Sequence, residues 1–210
     1  MNKNDWNKIF YEGREFSSLN EILLDKIIDR AKNHRKMAGI TTEIHTVVDL
    51  GAGTGESVLK FAKRGFKVTG IDWSSVALAK LHELSEKIGL TDLVQATEGD
   101  LNNLDTESLL KLNADIIFCK LTIAFVDNKK KFIKNISDSM RPGAVFILMT
   151  PVLHSDIQYS DSDKPAIAVN YDELTSLLNE SFDISETYHH DYFSEHGDLT
   201  TYINIKTKAA

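Results

Sequence analysis

An acidic residue followed by three closely spaced glycines is the part of the sequence with the clearest chemical meaning. In the segment 47–55, VVDLGAGTG, apolar residues typical of a buried strand lead into a glycine-rich turn and then into a helix pattern. Glycine at positions Gly51, Gly53 and Gly55 permits a tight turn and a close approach of the backbone to a ligand. The segment therefore predicts a ligand-binding loop, with the Asp49 carboxylate just before it.

A second carboxylate, Asp72, ends the next strand-like run, 66–71 (FKVTGI). An acid at this place suits the two adjacent hydroxyls of a ribose, because one carboxylate can accept hydrogen bonds from both. The glycine loop and Asp72 together predict a nucleoside cofactor.

The glycine spacing differs from that of a dinucleotide site. The fingerprint G-x-G-x-x-G places its last glycine inside the helix, but here Gly55 comes one residue early and Glu56 takes the expected place. A glutamate at the start of that helix would repel a pyrophosphate. The chain also lacks a Tyr-x-x-x-Lys pair in a suitable place. A nicotinamide oxidoreductase is therefore disfavoured.

The pattern acid-x-G-x-G-x-G, from Asp49 to Gly55, resembles motif I of the class I S-adenosylmethionine-dependent methyltransferases. S-adenosylmethionine carries no phosphate and presents a sulfonium and an amino acid end, so Asp49 and Glu56 are compatible neighbours. The resemblance covers residues 44–150 by motif and the closing hairpin by architecture. It implies methyl transfer from S-adenosylmethionine, with S-adenosylhomocysteine as the product.

The same resemblance assigns cofactor-binding roles along the chain. Asp49, Gly51 and Gly53 would meet the methionine portion through the backbone and bridging water, and Asp72 would bind the ribose. Trp73 matches a place where family members set an apolar side chain against the adenine, although ordinary core packing explains it equally well.

The tetrad 98–101, EGDL, resembles the third motif of the family. There Asp100 would accept from the adenine amino group, with the Leu101 backbone N–H at the ring. The alternative for Asp100 is a helix N-cap or a turn acid.

The fourth motif lies at 115–122, DIIFCKLT. Enzymes that methylate exocyclic amines of bases, or glutamine, often carry an Asn/Asp-Pro-Pro-aromatic tetrad here, and its absence disfavours both activities. Lys120 is a candidate for the cofactor pocket, where it could orient an anionic substrate, or it is a snorkelling lysine.

The segments 123–127 and 140–144 resemble small-molecule methyltransferases of the ubiquinone/menaquinone and tellurite-resistance type. The alternatives are a tRNA or protein methyltransferase and a non-catalytic protein that binds S-adenosylmethionine.

Two segments could cover the site. Family members fold an N-terminal segment over the cofactor, so Arg14 would pair with its carboxylate and Tyr11 would close the pocket, unless this stretch is a surface segment. His154 follows the fifth predicted strand, where loops line the crevice, and is the leading candidate for a catalytic base. A lone histidine is more often structural, and a sulfonium methyl group is activated enough for transfer without a base.

Strand and helix patterns alternate along the chain, which indicates a doubly wound α/β fold with a parallel sheet. Strands are predicted near 44–50, 66–72, 93–98, 114–119 and 143–150, and a closing hairpin from 182–190 and 199–206. Helices are predicted near 19–37, 55–64, 74–88, 104–112, 127–140 and 171–180. The resemblance adds a Rossmann-like, seven-stranded, mostly parallel sheet of order 3-2-1-4-5-7-6, with the last strand antiparallel and helices on both faces. Residues 1–43 would form a helical lid segment and 44–210 the core of a single domain.

Composition narrows the class of protein. A chain of 210 residues suits one domain, and its net charge of −7 argues against a nucleic-acid substrate. No apolar run approaches the roughly 18 residues of a membrane span. Cys119 is the single cysteine, which excludes an intrachain disulfide and favours the cytoplasm. No Cys/His cluster has metal-ligand spacing, and the basic residues near 129–134 suit a solvated helix face. The expected partner is a small-molecule methyl acceptor, and the oligomeric state stays open between monomer and homodimer.

Overall fold

The computed structural model describes residues 2–14, 16, 19–155, 167–194 and 197–205. The helices are α1 (Lys3–Tyr11), α2 (Glu21–Met37), α3 (Glu56–Ala62), α4 (Ser75–Lys87), α5 (Thr106–Leu112), α6 (Lys129–Ser139) and α7 (Tyr171–Ser181). The strands are β1 (Thr46–Leu50), β2 (Lys67–Asp72), β3 (Val94–Glu98), β4 (Ile116–Lys120), β5 (Val145–Leu153), β6 (Val169–Asn170), β7 (Ile184–Ser194) and β8 (Gly197–Ile205). A 3-10 turn, Ile123–Phe125, follows β4.

The strands form one sheet in the order β3-β2-β1-β4-β5-β8-β7, and the two-residue β6 pairs with β5 outside this path. All neighbours from β3 to β5 run parallel, whereas β8 is antiparallel to both β5 and β7. If β6 is left out of the numbering, this is the predicted order 3-2-1-4-5-7-6 with an antiparallel last strand. The predicted fold class is confirmed.

Alternate residues of the central strands face two separate apolar layers. Ile117 and Cys119 pack in one layer with α5, α6 and α7, and Phe118 packs in the other with α2, α3 and α4. Strands that are buried on both faces need continuous apolar sequence, which explains why the central strands show no polar alternation. Cys119 is fully buried, and burial raises the pKa of its thiol. Within the described ranges no helix is both long and apolar enough to cross a membrane.

The amino-terminal edge of the sheet is held by two buried ionic side chains. Asp115, just before β4, accepts hydrogen bonds from the backbone N–H groups of His45 (2.8 Å) and Thr46 (2.9 Å). Arg35 of α2 is 2% exposed and donates to the carbonyl oxygens of Gly143 and Thr42. These bonds connect α2 with the starts of β1, β4 and β5. The edge of the sheet formed by the carboxyl ends of the strands is not occupied by these contacts and can hold a ligand site.

The hairpin strands are longer than the sequence predicted. Backbone pairing continues to Phe193↔Asp198 and Ser194↔Gly197, past an irregularity between His190 and Phe193. The predicted boundary rested on the polar residues 194–198, but backbone pairing does not require apolar side chains.

Candidate active site

A cleft of about 430 Å³ opens where β1, β2 and β4 end. In open α/β sheets ligands bind at the carboxyl ends of the strands, where the strand order reverses, and here it reverses between β1 and β4. The predicted cofactor residues that line the cleft are Asp49, Gly51, Gly53, Asp72, Trp73, Asp100, Leu101 and Lys120. The fold thus brings together residues that are far apart in sequence.

The loop between β1 and α3 requires glycine for two reasons. Gly51 and Gly55 have φ angles of 81° and 87°, in the left-handed region that side chains disfavour. A Cβ on Gly51 would also lie 2.1 Å from Thr122 Oγ1, and one on Gly55 would lie 2.1 Å from Leu81 Cδ1. The backbone therefore lies close against its surroundings at both positions, and Gly51 presents bare backbone to the cleft.

Asp72 joins the glycine loop to the start of α4. Its Oδ2 accepts from the Gly53 N–H at 2.8 Å, and its Oδ1 accepts from the Ser74 N–H at 2.8 Å. Burial raises the pKa of Asp72, and these two N–H groups oppose that shift. Each carboxylate oxygen can accept more than one hydrogen bond, so Asp72 can hold the loop and a ligand hydroxyl at once.

Asp49, Glu56 and Lys120 form a charged group at the glycine loop. Asp49 is 2% exposed, and burial raises its pKa to about 7, against the opposing effect of Lys120. Lys120 Nζ lies 3.8 Å from Glu56 Oε2, and its side chain is only 13% exposed. Burial lowers the pKa of Lys120, whereas Glu56 and Asp49 oppose this. Lys120 is therefore a largely buried component of the cleft wall, and its role toward a ligand stays a prediction.

Asp100 closes a turn at the cleft edge. Its Oδ1 accepts from the Asn102 N–H at 3.0 Å, and its Oδ2 accepts from Asn103 Nδ2 at 2.8 Å. The structure thus shows the turn-acid role, while α5 is capped by Asp105. The adenine contact stays a prediction for Asp100 and Leu101, since a turn acid retains lone pairs for a ligand.

Helix α1 covers the cleft with aromatic side chains. Trp6 and Phe10 line the cleft, with ring centroids 5.9 Å apart, and Trp6 meets Phe125 edge-on at 4.9 Å. The Phe10 ring reaches within 3.4 Å of the position a Cβ would take on Gly53. Ser74 Oγ donates to Asn7 Oδ1 at 2.7 Å, which ties α1 to the residue that also bonds Asp72.

Tyr11 and Arg14 do not lie where the sequence predicted them. Tyr11 is 81% exposed, and the exposed Arg14 guanidinium lies 5.9 Å from the Phe16 ring centroid. Neither residue lines the cleft. Residues four apart share a helix face, so Trp6 and Phe10 point the same way and Tyr11 is turned away by about 100°. The i, i+4 spacing of Trp6 and Phe10 was the signal that could have identified the covering pair.

His154 also lies outside the cleft lining. It follows β5, and its ring packs on Tyr171, the first residue of α7, with centroids 4.5 Å apart. The short pairing of β5 with β6 brings α7 next to the end of β5 and gives His154 this aromatic neighbour. The geometry therefore does not support His154 as the base. The neighbouring part of the predicted covering loop, 156–166, lies outside the described residues.

The chain after β4 contributes residues that sequence reasoning did not single out. Leu121 adopts a φ of 62°, which is rare for a side chain of this size, and its N–H donates to the Met149 carbonyl oxygen at 2.8 Å. Leu121, Thr122 and Phe125 all line the cleft. No sequence pattern indicates that a leucine adopts a positive φ angle, so only the structure identifies this turn.

The family model of a methyltransferase domain matches residues 42–195 of the chain, which is well over half of its length. The chain belongs to this methyltransferase family. Membership confirms the resemblance to the class I S-adenosylmethionine-dependent methyltransferases, and with it the expected cofactor, S-adenosylmethionine.

Two curated relatives show how diverse the acceptors of similar methyltransferases are. The ubiquinone biosynthesis O-methyltransferase of Rickettsia prowazekii is 29% identical over 157 residues, which cover 71% of this chain and 55% of that protein. The tRNA 5-carboxymethoxyuridine methyltransferase of Escherichia coli (strain K12) is 25% identical over 126 residues, covering 60% of this chain and 46% of that one. The chain spans about half the length of these curated relatives.

Solved methyltransferase structures share the fold over nearly the whole chain. A putative sarcosine dimethylglycine methyltransferase from Galdieria sulphuraria has a TM-score of 0.65 at 15% identity, covering 97% of this chain and 98% of that one. The S-adenosylmethionine-bound amino pentose methyltransferase CalS10 from Micromonospora echinaspora has a TM-score of 0.64 at 14% identity. The match covers 94% of this chain and 95% of that one. At sequence identities this low, the structural similarity establishes a shared fold and does not by itself establish a shared function.

Proposed function

We propose that this chain transfers a methyl group from S-adenosylmethionine to a small-molecule acceptor in the cleft at the ends of β1, β2 and β4. The observation that carries the proposal is the convergence, in that cleft, of the glycine loop with the Asp72 and Asp100 carboxylates. Family membership supports the reaction type.

The residues of the cleft fit this cofactor. Gly51 packs too closely on Thr122 to carry a side chain, so the loop can present bare backbone to the methionine portion. Asp72 faces the cleft as an acceptor for ribose hydroxyls, and Trp73 and Leu101 offer apolar surface to an adenine ring. A pyrophosphate would meet carboxylates at the same loop, which disfavours a dinucleotide.

The bound cofactor supplies a methyl group that its positively charged sulfur already activates. The protein then has to orient the reactants and exclude water. Lys120, held beside Asp49 and Glu56, offers a cation to the carboxylate of the cofactor, and Asp49 offers an acceptor to its ammonium group. Trp6 and Phe10 of α1 cover the site and exclude solvent.

Charge favours a small acceptor over a nucleic acid. The net charge is −7, and lysines of α6 are paired with acids: Lys134 Nζ lies 2.6 Å from Asp138, and Lys130 Nζ lies 3.7 Å from Glu180. Strong RNA binding needs a basic surface that neutralises phosphates. Because one relative modifies tRNA, tRNA is the alternative acceptor for this chain. RNA that remains bound through purification at high salt would favour that alternative.

Calorimetric titration with S-adenosylmethionine, S-adenosylhomocysteine and NADH tests the proposal. We expect both sulfur nucleosides to bind and NADH not to bind. Asp72→Asn should weaken their binding by about 1–3 kcal/mol, the scale of hydrogen bonds to a charged group. Asp92→Asn is the matched control, since Asp92 is exposed and does not line the cleft. Folded protein that binds neither sulfur nucleoside, or prefers NADH, would contradict the proposal.

A further inference from the structure

Beyond the predicted cofactor residues, the cleft has a region that we name the aromatic-acid subsite, made of Trp6, Phe125 and Asp127. The Trp6 and Phe125 rings meet at 4.9 Å and 89°. Asp127 lines the same cleft two residues after Phe125, and its backbone N–H donates to Asn102 Oδ1 at 2.8 Å. At this subsite, α1 contacts the segment that follows β4.

The cleft as a whole is acidic. The lining carboxyl groups belong to Asp49, Glu56, Asp72, Asp100 and Asp127, and among the described lining residues only Lys120 is a cation. Lys120 lies 3.8 Å from Glu56 and interacts electrostatically with Asp49. An acceptor that carries a carboxylate or a phosphate would therefore meet net repulsion.

Asp127 differs from the other carboxylates of the cleft in its exposure or its partners: Asp49 is only 2% exposed, whereas Asp127 is exposed. Asp72 and Asp100 accept hydrogen bonds from neighbouring N–H groups, and Glu56 is paired with Lys60. Within the described part of the chain, no hydrogen bond or ion pair is found for the exposed Asp127 carboxylate. It is therefore available to a ligand in the cleft that the Trp6 and Phe125 rings also line.

We propose that the methyl acceptor carries an ammonium group on an apolar body, and that Trp6, Phe125 and Asp127 recognise it. Aromatic faces attract cations, and a nearby carboxylate adds to that attraction. The subsite acts by binding and forms no bond itself. This inference rests on the proposed function of the cleft, because it assigns the class of acceptor.

Three probes that share a phenyl body and differ in charge test the inference: phenethylamine, 2-phenylethanol and 3-phenylpropionate. Each is titrated calorimetrically into protein saturated with S-adenosylhomocysteine. We expect the amine to bind about tenfold more tightly than the alcohol, and the carboxylate most weakly. Equal affinities, a preference for the carboxylate, or no binding of the amine at millimolar concentration would overturn the inference.

Variants connect the preference to the named residues. Asp127→Asn should bring the affinity for phenethylamine close to that for 2-phenylethanol, and Phe125→Leu should weaken amine binding while the alcohol changes less. The control Asp92→Asn should retain the full preference. If Asp127→Asn keeps the preference, or loses S-adenosylhomocysteine instead, the assignment of Asp127 is wrong. Wild-type protein that binds S-adenosylhomocysteine but no amine contradicts this inference alone, whereas failure to bind S-adenosylhomocysteine contradicts the proposed function.

Discussion

The Gly53 N–H donates a 2.8 Å hydrogen bond to Asp72 Oδ2, so the loop after β1 is tied directly to the end of β2. Asp72 in turn bonds the N–H of Ser74, whose hydroxyl holds Asn7 of α1. One carboxylate thus connects the glycine loop, the start of α4 and the covering helix.

Gly51→Ala should destabilise the protein more than Gly65→Ala does. Both glycines have left-handed φ angles, 81° and 86°, so both variants incur a backbone cost of about 1–2 kcal/mol. Only at Gly51 would the new Cβ meet another atom, Thr122 Oγ1 at 2.1 Å; nothing lies within 4 Å at Gly65. Thermal unfolding and S-adenosylhomocysteine titration measure the difference, and equal effects of the two variants would contradict the close approach.

Phe10→Ala should weaken S-adenosylhomocysteine binding, whereas Tyr11→Ala should not. Phe10 is 5% exposed and lines the cleft, while Tyr11 is 81% exposed and does not. The Phe10 ring is part of the apolar surface of the cleft, so losing its contact with a ligand should reduce the affinity several-fold. The two dissociation constants are measured by calorimetry. A larger effect of Tyr11→Ala would restore the sequence-based role of that residue.

Asp49→Asn should change how stability depends on pH. Burial raises the pKa of Asp49 from 3.8 to about 7, so between these values the folded state binds a proton that the unfolded state has released. This group therefore lowers wild-type stability as the pH rises through that window, by up to about 4 kcal/mol. Urea unfolding at about pH 5 and about pH 8 should show a smaller decrease for Asp49→Asn than for wild type.

The pKa of Asp72 is raised, like that of Asp49, whereas the pKa of Asp115 is lowered. Both groups therefore also contribute to the pH dependence of stability. For this reason the informative quantity is the difference between the variant and wild type. An identical pH dependence in the two proteins would show that Asp49 titrates normally.

Arg35→Met should destabilise the fold and leave the cleft intact. Arg35 is 2% exposed and donates to Thr42 O at 2.7 Å and to Gly143 O, so the variant leaves the buried Gly143 carbonyl group and the Thr42 carbonyl group without these donors. The expected loss is about 2–4 kcal/mol in the free energy of unfolding. Lys36→Met, at the exposed neighbouring position, is the control. A change in S-adenosylhomocysteine affinity of folded Arg35→Met protein would contradict a purely structural role.

Much of the fold followed from local patterns. Apolar runs predicted the central strands β1, β4 and β5, because strands buried on both faces must be apolar throughout, and the helices lie close to the predicted ranges. The convergence of most predicted cofactor residues on one cleft followed as well, because the carboxyl ends of parallel strands meet at one edge of the sheet, and their roles toward the cofactor stay predictions. The roles of Tyr11, Arg14 and His154 did not follow, since each depends on how a peripheral element docks.

The sequence by itself determined the strand–helix alternation, the glycine loop and the carboxylates that end its strands, because these depend on residue type and spacing over short distances. Tertiary structure decided which face of α1 meets the cleft, that Lys120 is buried beside Asp49, and that Leu121 turns left-handed beside Thr122. Those features arise from packing between segments distant in the chain. The spacing of Trp6 and Phe10 indicates an aromatic face on α1, but no local pattern specifies which part of the fold that face meets.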